Sequence, residues 1–427
     1  MAVEITRQAP LPKQKQVRKR KASLMAGPLE NLRILDMTTV MMGPYATQIL
    51  GDWGADVIKL EPDTGDINRI IGPKRNEGMG PVGLHLNRNK RSIALNTKSA
   101  AGKDTFLRFV ETVDVFVTNV RPESLGRMGF SYEALAKINP KVIFISITGF
   151  GQNGPYGGRP AYDDLIQGAV GIPWLSQRAS GEKPRYAPIA LADRAVGIYA
   201  VGVVLAAVHA RQRTGRGQHV EVPMFETMTQ FVMGDHMQGE TFVPAQGPST
   251  YPRLADPDRR PYETKDGHIC AMIYSDANWR DFLISIGKWD ELKDDPRIAD
   301  LATRTRHTSE LYSLVAEAMK TRTTEAWMKL FFEHDIPATP MHSPDTLMQD
   351  PHLREVGFFT EVDHPTEGRL ISMSVPNVWS DTQPDPPRPA PRIGEHTVEV
   401  LLEAGFSRAE IQELLRNGEA KSATKIP

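Results

Sequence analysis

The chain has 427 residues and a mass of 47.5 kDa, which is too long for one ordinary domain and predicts about two or three. Apolar residues make up 40% of it and charged residues 24%, proportions that exclude a disordered or fibrous protein for the bulk of the chain. Its one cysteine, Cys270, excludes an intramolecular disulfide and a cysteine-rich metal site, and it is typical of a reducing compartment.

The net charge of −1 hides a basic N-terminal segment. Residues 1–25 carry seven lysines and arginines against one glutamate, so the remainder of the chain is acidic. We therefore expect a basic disordered tail over 1–27 and no nucleic-acid partner for the folded part. The most apolar segment, 195–209, is short and flanked by charges, and no apolar segment typical of a secretory signal occurs. These features predict a cytoplasmic protein without a membrane span.

The first half of the folded chain alternates short apolar strands with amphipathic helices. The predicted strands are 32–38, 56–60, 91–96, 114–118 and 141–147. The predicted helices between them are 45–53, 99–112 and 131–138. Ser99 is the candidate N-cap of the helix over 99–112. This alternation predicts an α/β fold with an open parallel sheet.

The pattern changes after residue 148. The segment 149–160 (GFGQNGPYGGRP) predicts a loop. A long apolar helix is predicted from Asp193 to Arg211, where the glycines of TGRGQ end it. A strand over 219–222 and a helix over 223–234 follow.

A second, smaller α/β region follows a proline-rich stretch at 240–262. Its predicted elements are a strand over 267–274 and helices over 276–286, 308–321 and 323–333. A proline-rich connector, 384–391, leads to a final helical segment at 395–416.

The common cofactor motifs are absent or incomplete. GFGQNG at 149–154 matches G-x-G-x-x-G, but the residues after it, PYGGRP, cannot open the helix that a dinucleotide site needs. The histidines are scattered without metal-ligand spacing, and neither G-x-S-x-G nor a P-loop occurs. The sequence therefore predicts no nicotinamide, no metal ion and neither hydrolase nor ATPase chemistry.

Carboxylates at the ends of predicted elements are the remaining candidates. Asp193 follows PIALA and precedes the long helix, so it is predicted as the N-cap of that helix. A compatible second role is that of a carboxylate that the helix dipole keeps ionised and able to attack a carbonyl carbon. Asp163 and Asp164 follow Tyr162 and either cap a helix at 165 or line the same cleft.

The order and spacing of several segments resemble one known family. They are LRILDMTTVMMGPYATQILGDWGADVIKLEP (32–62), NRNKRSIALNTKSAAGK (87–103), TNVRPESLGRMGFSYEALAKINPKVIFISITGFGQNGP (118–155), PAYDDLIQGAVG (160–171), LADRAVGIYAVGVVLAAVHARQRTGRGQHVEV (191–222), DIPATPMHSPDTLMQDPHL (335–353) and IGEHTVEVL (393–401). Over about 28–412 the chain resembles the class III CoA-transferase family, also called CaiB/BaiF.

The resemblance implies a Rossmann-like large domain, a smaller α/β domain and two long linkers, with two chains interlocked as a homodimer. It implies the following limits: large domain 28–222 completed by 392–416, linker 223–262, small domain 263–345, return segment and linker 346–391, and tail 417–427.

The resemblance also implies an activity and a nucleophile. Asp193, in ALADRAVG, matches the aspartate that attacks an acyl-CoA thioester and passes through a mixed anhydride and an aspartyl-CoA thioester. Coenzyme A and its acyl thioesters are then substrates, a small carboxylic acid is the acceptor, and no cofactor is bound permanently. Amides of the glycine-rich loop are the expected donors to the tetrahedral intermediates.

Six further residues match family positions that contact the CoA thioester. Asn119, Arg127 and Met128 match positions around the nucleotide, Tyr162 matches one near the pantetheine arm, and Val40 and Met42 flank the approach to the thioester.

Two departures from the formyl-CoA transferase branch make formate and oxalate poor substrate candidates. Met41 replaces a glutamine, and 240–275 lacks the branch's run of glycines; 248–262 is then the candidate lid. Arg253, Arg259 and Arg260 either recognise a dicarboxylate such as succinate or form a solvated basic linker.

The alternative activity on the same fold is that of an α-methylacyl-CoA racemase. Racemases of this type carry a histidine where this chain has Tyr162, and a phenol with an ordinary pKa near 10 is a poor base at neutral pH.

Overall fold

The computed structural model describes residues 27–423. All but the last residue of the predicted basic tail at 1–27 therefore lies outside the described residues.

Seven strands form the main sheet. They are β1 (Arg33–Met37), β2 (Asp56–Glu61), β3 (Lys90–Leu95), β4 (Val115–Thr118), β5 (Ile143–Thr148), β6 (His219–Pro223) and β12 (Ala420–Lys421). Their order is β12-β3-β2-β1-β4-β5-β6, and every pair is parallel except β12 with β3. The order 3-2-1-4-5-6 is that of a Rossmann fold, so the predicted Rossmann-like α/β class is confirmed.

The helices that belong with this sheet are α1 (Met42–Asp52), α2 (Pro81–Leu86), α3 (Ala100–Val110), α4 (Pro122–Met128), α5 (Tyr132–Ile138), α6 (Asp163–Ala169), α8 (Leu191–Thr214), α16 (Pro351–Glu355), α17 (Thr397–Glu403) and α18 (Arg408–Arg416). A two-stranded antiparallel ribbon, β10 (Phe359–His364) and β11 (Gly368–Met373), lies in the same part of the chain.

The described chain groups into two compact units. The first comprises 27–167, 188–229 and 351–423, and the second comprises 168–187 and 230–350. The second unit contains α7 (Ile172–Ser180), most of α9 (Met224–His236), β7 (Tyr262–Glu263), β8 (His268–Ala271), α10 (Asp276–Ser285), α11 (Trp289–Leu292), α12 (Leu301–Arg306), α13 (Thr308–Met319), α14 (Thr324–Glu333), β9 (Ala338–Pro340) and α15 (Pro344–Leu347). Strands β7, β8 and β9 pair in that order as an antiparallel sheet.

Each unit has its own aromatic core. In the first, Phe106 packs edge-on against Phe116, whose ring packs edge-on against Phe144. In the second, Trp327 and Phe331 stack with ring centroids 5.2 Å apart. Burial of these side chains holds each unit together, since a fully buried aromatic side chain contributes about 1.5–3 kcal/mol.

The strands predicted for the first half agree with those observed to within two residues at either end. The predicted cap of α3 is also confirmed, because the Ser99 hydroxyl accepts a hydrogen bond from the Gly102 amide at 3.0 Å.

Several local expectations differ from the structure. Helix α8 begins at Leu191 with Ala190 as its N-cap, so Asp193 lies inside the first turn and the N-cap prediction is wrong. Strand β12 lies within the expected tail at 417–427, whereas helix α9 agrees with the helix predicted over 223–234. The final helical segment is two helices, because Gly405 takes the left-handed conformation between them, with φ at 83°.

Helix α8 packs one face into the core of the first unit. Val196, Ala200, Val204 and Ala207 are buried, and Gly197 lies close to the start of α1. Among helices in the described part of the chain, this one alone has the length and hydropathy that a membrane span requires, but a core helix of a water-soluble protein meets the same two criteria.

Candidate active site

A cavity of about 210 Å³ opens at the carboxyl ends of the central strands, within the first unit. It lies where the loops after β1 and β4 leave the sheet in opposite directions, which is the position where open α/β sheets bind ligands. Its lining comprises Thr39, Val40, Met42, Asn119, Arg121, Pro122, Ile147, Thr148, Gly149, Gln152, Gly158, Arg159, Pro160, Ala161, Tyr162, Asp193 and Met224. Four predicted site residues, Val40, Met42, Asn119 and Tyr162, therefore share one cavity with Asp193.

Asp193 is placed by two neighbouring helices. Its backbone amide donates a hydrogen bond of 2.9 Å to Oδ1 of Asp163, the first residue of α6. The other oxygen of Asp163 accepts a hydrogen bond of 2.6 Å from the Gln167 side chain. Asp163 thus satisfies an amide in the first turn of α8 and fixes where that helix begins.

The same arrangement sets two carboxylates side by side. Burial, with the negative charge of Asp163 added to it, raises the pKa of Asp193 to about 6, and Arg194 partly opposes this rise. The sequence predicts a helix dipole that favours the ionised form of Asp193, and burial and the charge of Asp163 act against it. At pH 7 about nine-tenths of the carboxyl groups with such a pKa are ionised.

Val40, at the turn after β1, has a backbone conformation that is unusual for its residue type. Its φ is 68°, in the left-handed region that β-branched residues rarely adopt. Two buried side chains hold it there: Val40 N donates to Asp66 Oδ1 at 3.0 Å, and Asn68 Nδ2 donates to the Val40 carbonyl at 3.0 Å. Asp66 and Asn68 thus hold in place the part of the cavity wall that Val40 forms.

Buried ion pairs support this turn. Lys59 donates to Asp66 Oδ2 at 2.8 Å and also to the carbonyl of Thr38. Lys90 pairs with Asp36 at 2.9 Å, and all four charged side chains are fully or almost fully buried. Burial alone would raise the pKa of Asp36, but Lys90 and Lys59 outweigh it and hold that pKa well below its usual range.

Asn119 joins the two loops at the point where they diverge. Its Nδ2 donates to the Thr39 carbonyl and its Oδ1 accepts from the Thr39 amide, both at 2.9 Å. The Asn119 side chain lines the cavity, and both of its polar atoms are hydrogen-bonded to the Thr39 backbone. It therefore holds the turn that contains Thr39 in place at the edge of the cavity.

Arg127 and Met128 do not reach this cavity. Arg127 is exposed on α4 and pairs with Glu123 at 2.9 Å, one helical turn away. Met128 packs against the aromatic core of the first unit. Their expected contact with the CoA nucleotide stays a prediction about a surface outside the Asp193 cavity.

Four amides of the glycine-rich loop, which the sequence suggests as donors to an intermediate, already have acceptors within the protein. The amide of Gly151 donates to Glu226 at 3.0 Å, and that of Gln152 donates to Glu221 at 3.2 Å. Those of Gly154 and Gly157 donate to carbonyls within the loop. These four amides therefore do not serve as donors to a tetrahedral intermediate in this conformation. The motif also opens no helix, as the sequence indicates.

Two cationic residues of the cavity were missed by sequence reasoning. Arg121 follows β4, and Arg159 ends the glycine-rich loop with its guanidinium 4.3 Å from the centre of the Tyr156 ring. The charge of both is visible in the sequence, but only the folding of the two loops brings them to one cavity. They are suitable partners for an anionic ligand. Within 27–423 no group of histidine, cysteine and carboxylate side chains is arranged to hold a metal ion.

The model of one protein family, described as CoA-transferase family III, matches residues 29–397. The chain belongs to CoA-transferase family III. The resemblance that the sequence motifs indicate is thereby confirmed, and the chain is a family III CoA-transferase.

Curated relatives of this CoA-transferase cover nearly its whole length. The succinate–glutarate CoA-transferase of Agrobacterium fabrum is 31% identical over 388 residues, 88% of this chain and 95% of the relative. The succinyl-CoA:glutarate CoA-transferase of Homo sapiens is 32% identical over 92% of this chain and 89% of its own. The formyl-CoA:oxalate CoA-transferase of Escherichia coli O157:H7 is 31% identical over 92% and 99%.

Solved structures show the same fold. A CaiB/BaiF family protein from Brucella suis matches this CoA-transferase with a TM-score of 0.75 and 28% identity, over 89% of this chain and 100% of that one. A protein from Mycobacterium tuberculosis matches with a TM-score of 0.73 and 26% identity, over 88% and 99%.

Proposed function

We propose that this family III CoA-transferase moves coenzyme A from an acyl-CoA thioester to a small carboxylic acid through covalent intermediates on Asp193. The observation that carries the proposal is the carboxylate itself, which lines an open cavity at the switch point of the sheet and has a pKa near 6. Such a group is ionised at neutral pH yet less stabilised by solvent than an exposed aspartate, as a nucleophile requires.

The chemistry balances without a cofactor. Asp193 Oδ attacks the thioester carbonyl, and CoA thiolate leaves, which gives an acyl-aspartyl anhydride. The thiolate attacks the aspartyl carbonyl of that anhydride and releases the donor acid, leaving an aspartyl-CoA thioester. The acceptor carboxylate attacks this thioester and displaces the thiolate. The thiolate then attacks the acceptor's own carbonyl, so that the new acyl-CoA leaves and the Asp193 carboxylate is restored.

A dicarboxylic acceptor is the substrate class that we infer. Two of the relatives described above carry succinate and glutarate in their names, whereas a third carries formate and oxalate. Met41 in place of a glutamine and the absence of a glycine run at 240–275 favour succinate and glutarate over formate and oxalate.

A homodimer is part of the proposal. Helix α8 exposes Ile198 and Tyr199, about half of each side chain, and an apolar groove of about 670 Å³ lies beside them within the first unit. Exposed apolar surface of this kind marks interaction sites, and the family resemblance implies a second, interlocked copy.

The test is an exchange assay with two readouts on one protein. Acyl-CoA donors are offered to a panel of mono- and dicarboxylic acids in deuterated water, and mass spectrometry follows CoA exchange and deuterium at the α-carbon. We expect CoA exchange without deuterium uptake. Deuterium uptake that disappears in Tyr162→Phe, without any CoA exchange, would instead identify the α-methylacyl-CoA racemase.

A further inference from the structure

A second cavity, of about 260 Å³, lies wholly within the second unit. Three arginines line it, Arg253, Arg259 and Arg260, together with the aromatic side chains of Tyr262 and Tyr312, and no acidic residue is among its lining. A cavity of this size is smaller than those that hold drug-sized ligands, which measure about 300–1,000 Å³. It is suited to a small organic anion.

Arg253 is the residue that gives this cavity its chemistry. Its Nε donates to the Tyr312 hydroxyl at 3.1 Å, and one Nη lies 3.3 Å from the sulfur of Met272. These neutral partners orient the guanidinium without neutralising it, and in the described part of the chain it forms no ion pair with a carboxylate. A guanidinium held in this way retains its charge and its planar set of donors for a ligand.

The other two arginines, Arg259 and Arg260, are both exposed and add positive charge at the open side of the cavity. Arg260 lies 3.7 Å from Asp258, which also accepts a hydrogen bond of 2.8 Å from the Ser309 hydroxyl. The interpretation of this segment as only a solvated basic linker does not account for Arg253, which is partly buried against two tyrosines and a cavity.

We propose that the cavity lined by Arg253, Arg259 and Arg260 binds a short dicarboxylate, with one carboxylate on Arg253 and the other near the exposed pair. A planar carboxylate matches the fork of a guanidinium, and the tyrosine and tryptophan walls suit the methylene chain between two carboxylates. The inference rests on the proposed function for its ligand class and assigns that class to named residues.

The direct test is calorimetry on the full-length protein with glutarate in the presence of free CoA. Wild type is expected to bind glutarate, and Arg253→Gln to bind it about 10- to 100-fold more weakly, the loss typical of a charged hydrogen bond. Arg280→Gln is the matched control, because Arg280 is an exposed arginine of the same unit that pairs with Asp281 outside the cavity. Absence of glutarate binding in wild type, or equal weakening by both variants, would overturn the proposal.

Two further ligands separate carboxylate recognition from general attraction of anions. Butyrate, with one carboxylate, should bind more weakly than glutarate, and inorganic phosphate should not displace glutarate at equal concentration. Tighter binding of phosphate than of glutarate would show a phosphate site instead and contradict the assignment. If Arg253→Gln fails to fold, the double variant of the exposed Arg259 and Arg260 to glutamine takes its place.

Calorimetry does not depend on turnover, so a protein that binds glutarate through Arg253 but transfers no CoA would refute the proposed function and leave this site standing.

Discussion

Asp193 shares its surroundings with a second carboxylate, Asp163, and this neighbour adds to the effect of burial on the pH at which Asp193 ionises. Because burial and the charge of Asp163 raise the pKa of Asp193 to about 6, transfer should slow as the pH falls through that value. The slope should be that of a single ionisation.

Asp163→Asn should move this acidic limit to lower pH. The substitution removes the charge that helps to raise the Asp193 pKa, while the amide oxygen can still accept the hydrogen bond from the Asp193 backbone. The measurement is the pH profile of kcat/KM. Asp164→Asn, at the exposed neighbouring position, is the control and should leave the profile unchanged. A limit that shifts equally in both variants, or in neither, would show that Asp163 does not set this pKa.

The left-handed backbone conformation of Val40 depends on its hydrogen bond with Asn68. Asn68→Ala removes the donor to the Val40 carbonyl, so the turn beside Asp193 should relax and kcat should fall about 5- to 150-fold, equivalent to the 1–3 kcal/mol typical of such strain. Glycine adopts this φ without strain, so adding Val40→Gly to Asn68→Ala should restore part of the activity. The measurement is kcat and KM for the wild type, the single variant and the double variant. Absence of any rescue, with melting temperatures alike, would contradict a positioning role.

At the scale of the elements, helix α8 depends on a close approach to α1. A Cβ at Gly197 would lie 2.9 Å from the Met42 carbonyl oxygen and 3.1 Å from the Tyr45 ring. Met42 of α1 and Asp193 of α8 both line the cavity, so the spacing of the two helices fixes the distance between these residues.

Gly197→Ala should therefore destabilise the protein, by about 1–3 kcal/mol, because backbone has to move to admit the methyl group. Gly126→Ala is the control, since that glycine lies in α4 of the same unit and a Cβ there has nothing within 4 Å. Thermal melting should show a lower transition temperature for the first variant and an equal or higher one for the second. Equal melting of both would mean that the helices can separate freely.

Features that depend on local sequence pattern could be predicted, whereas features that depend on side chains distant in the chain could not. Hydrophobic periodicity predicts the buried strands and α3 with its Ser99 cap, because these depend on local pattern alone. It places Asp193 at the N-cap, whereas the start of α8 is decided by the Asp163 carboxylate, 30 positions away in the chain. The left-handed Val40 and the engaged amides of Gly151 and Gln152 likewise depend on distant side chains, which no local pattern reveals.

At the scale of the whole molecule, assembly is the main expectation. Linked chains cannot separate without one of them opening, so a homodimer of this kind should persist on dilution. Light scattering should give twice the chain mass of 47.5 kDa from micromolar to nanomolar concentration. A monomer mass anywhere in that range would contradict interlocking, and a concentration-dependent mass would indicate an ordinary reversible dimer.

Mass spectrometry of the peptide that contains Asp193, after incubation with an acyl-CoA, decides whether this residue carries the transferred group. We predict an acyl or CoA adduct on Asp193 in wild type, none in Asp193→Ala, and no CoA transfer by this variant although it folds and still binds CoA. Loss of the first-turn carboxylate should cost only about 1 kcal/mol of stability, so folding is not in question. Near-normal transfer by a folded Asp193→Ala protein, or an adduct on another residue alone, would contradict the account.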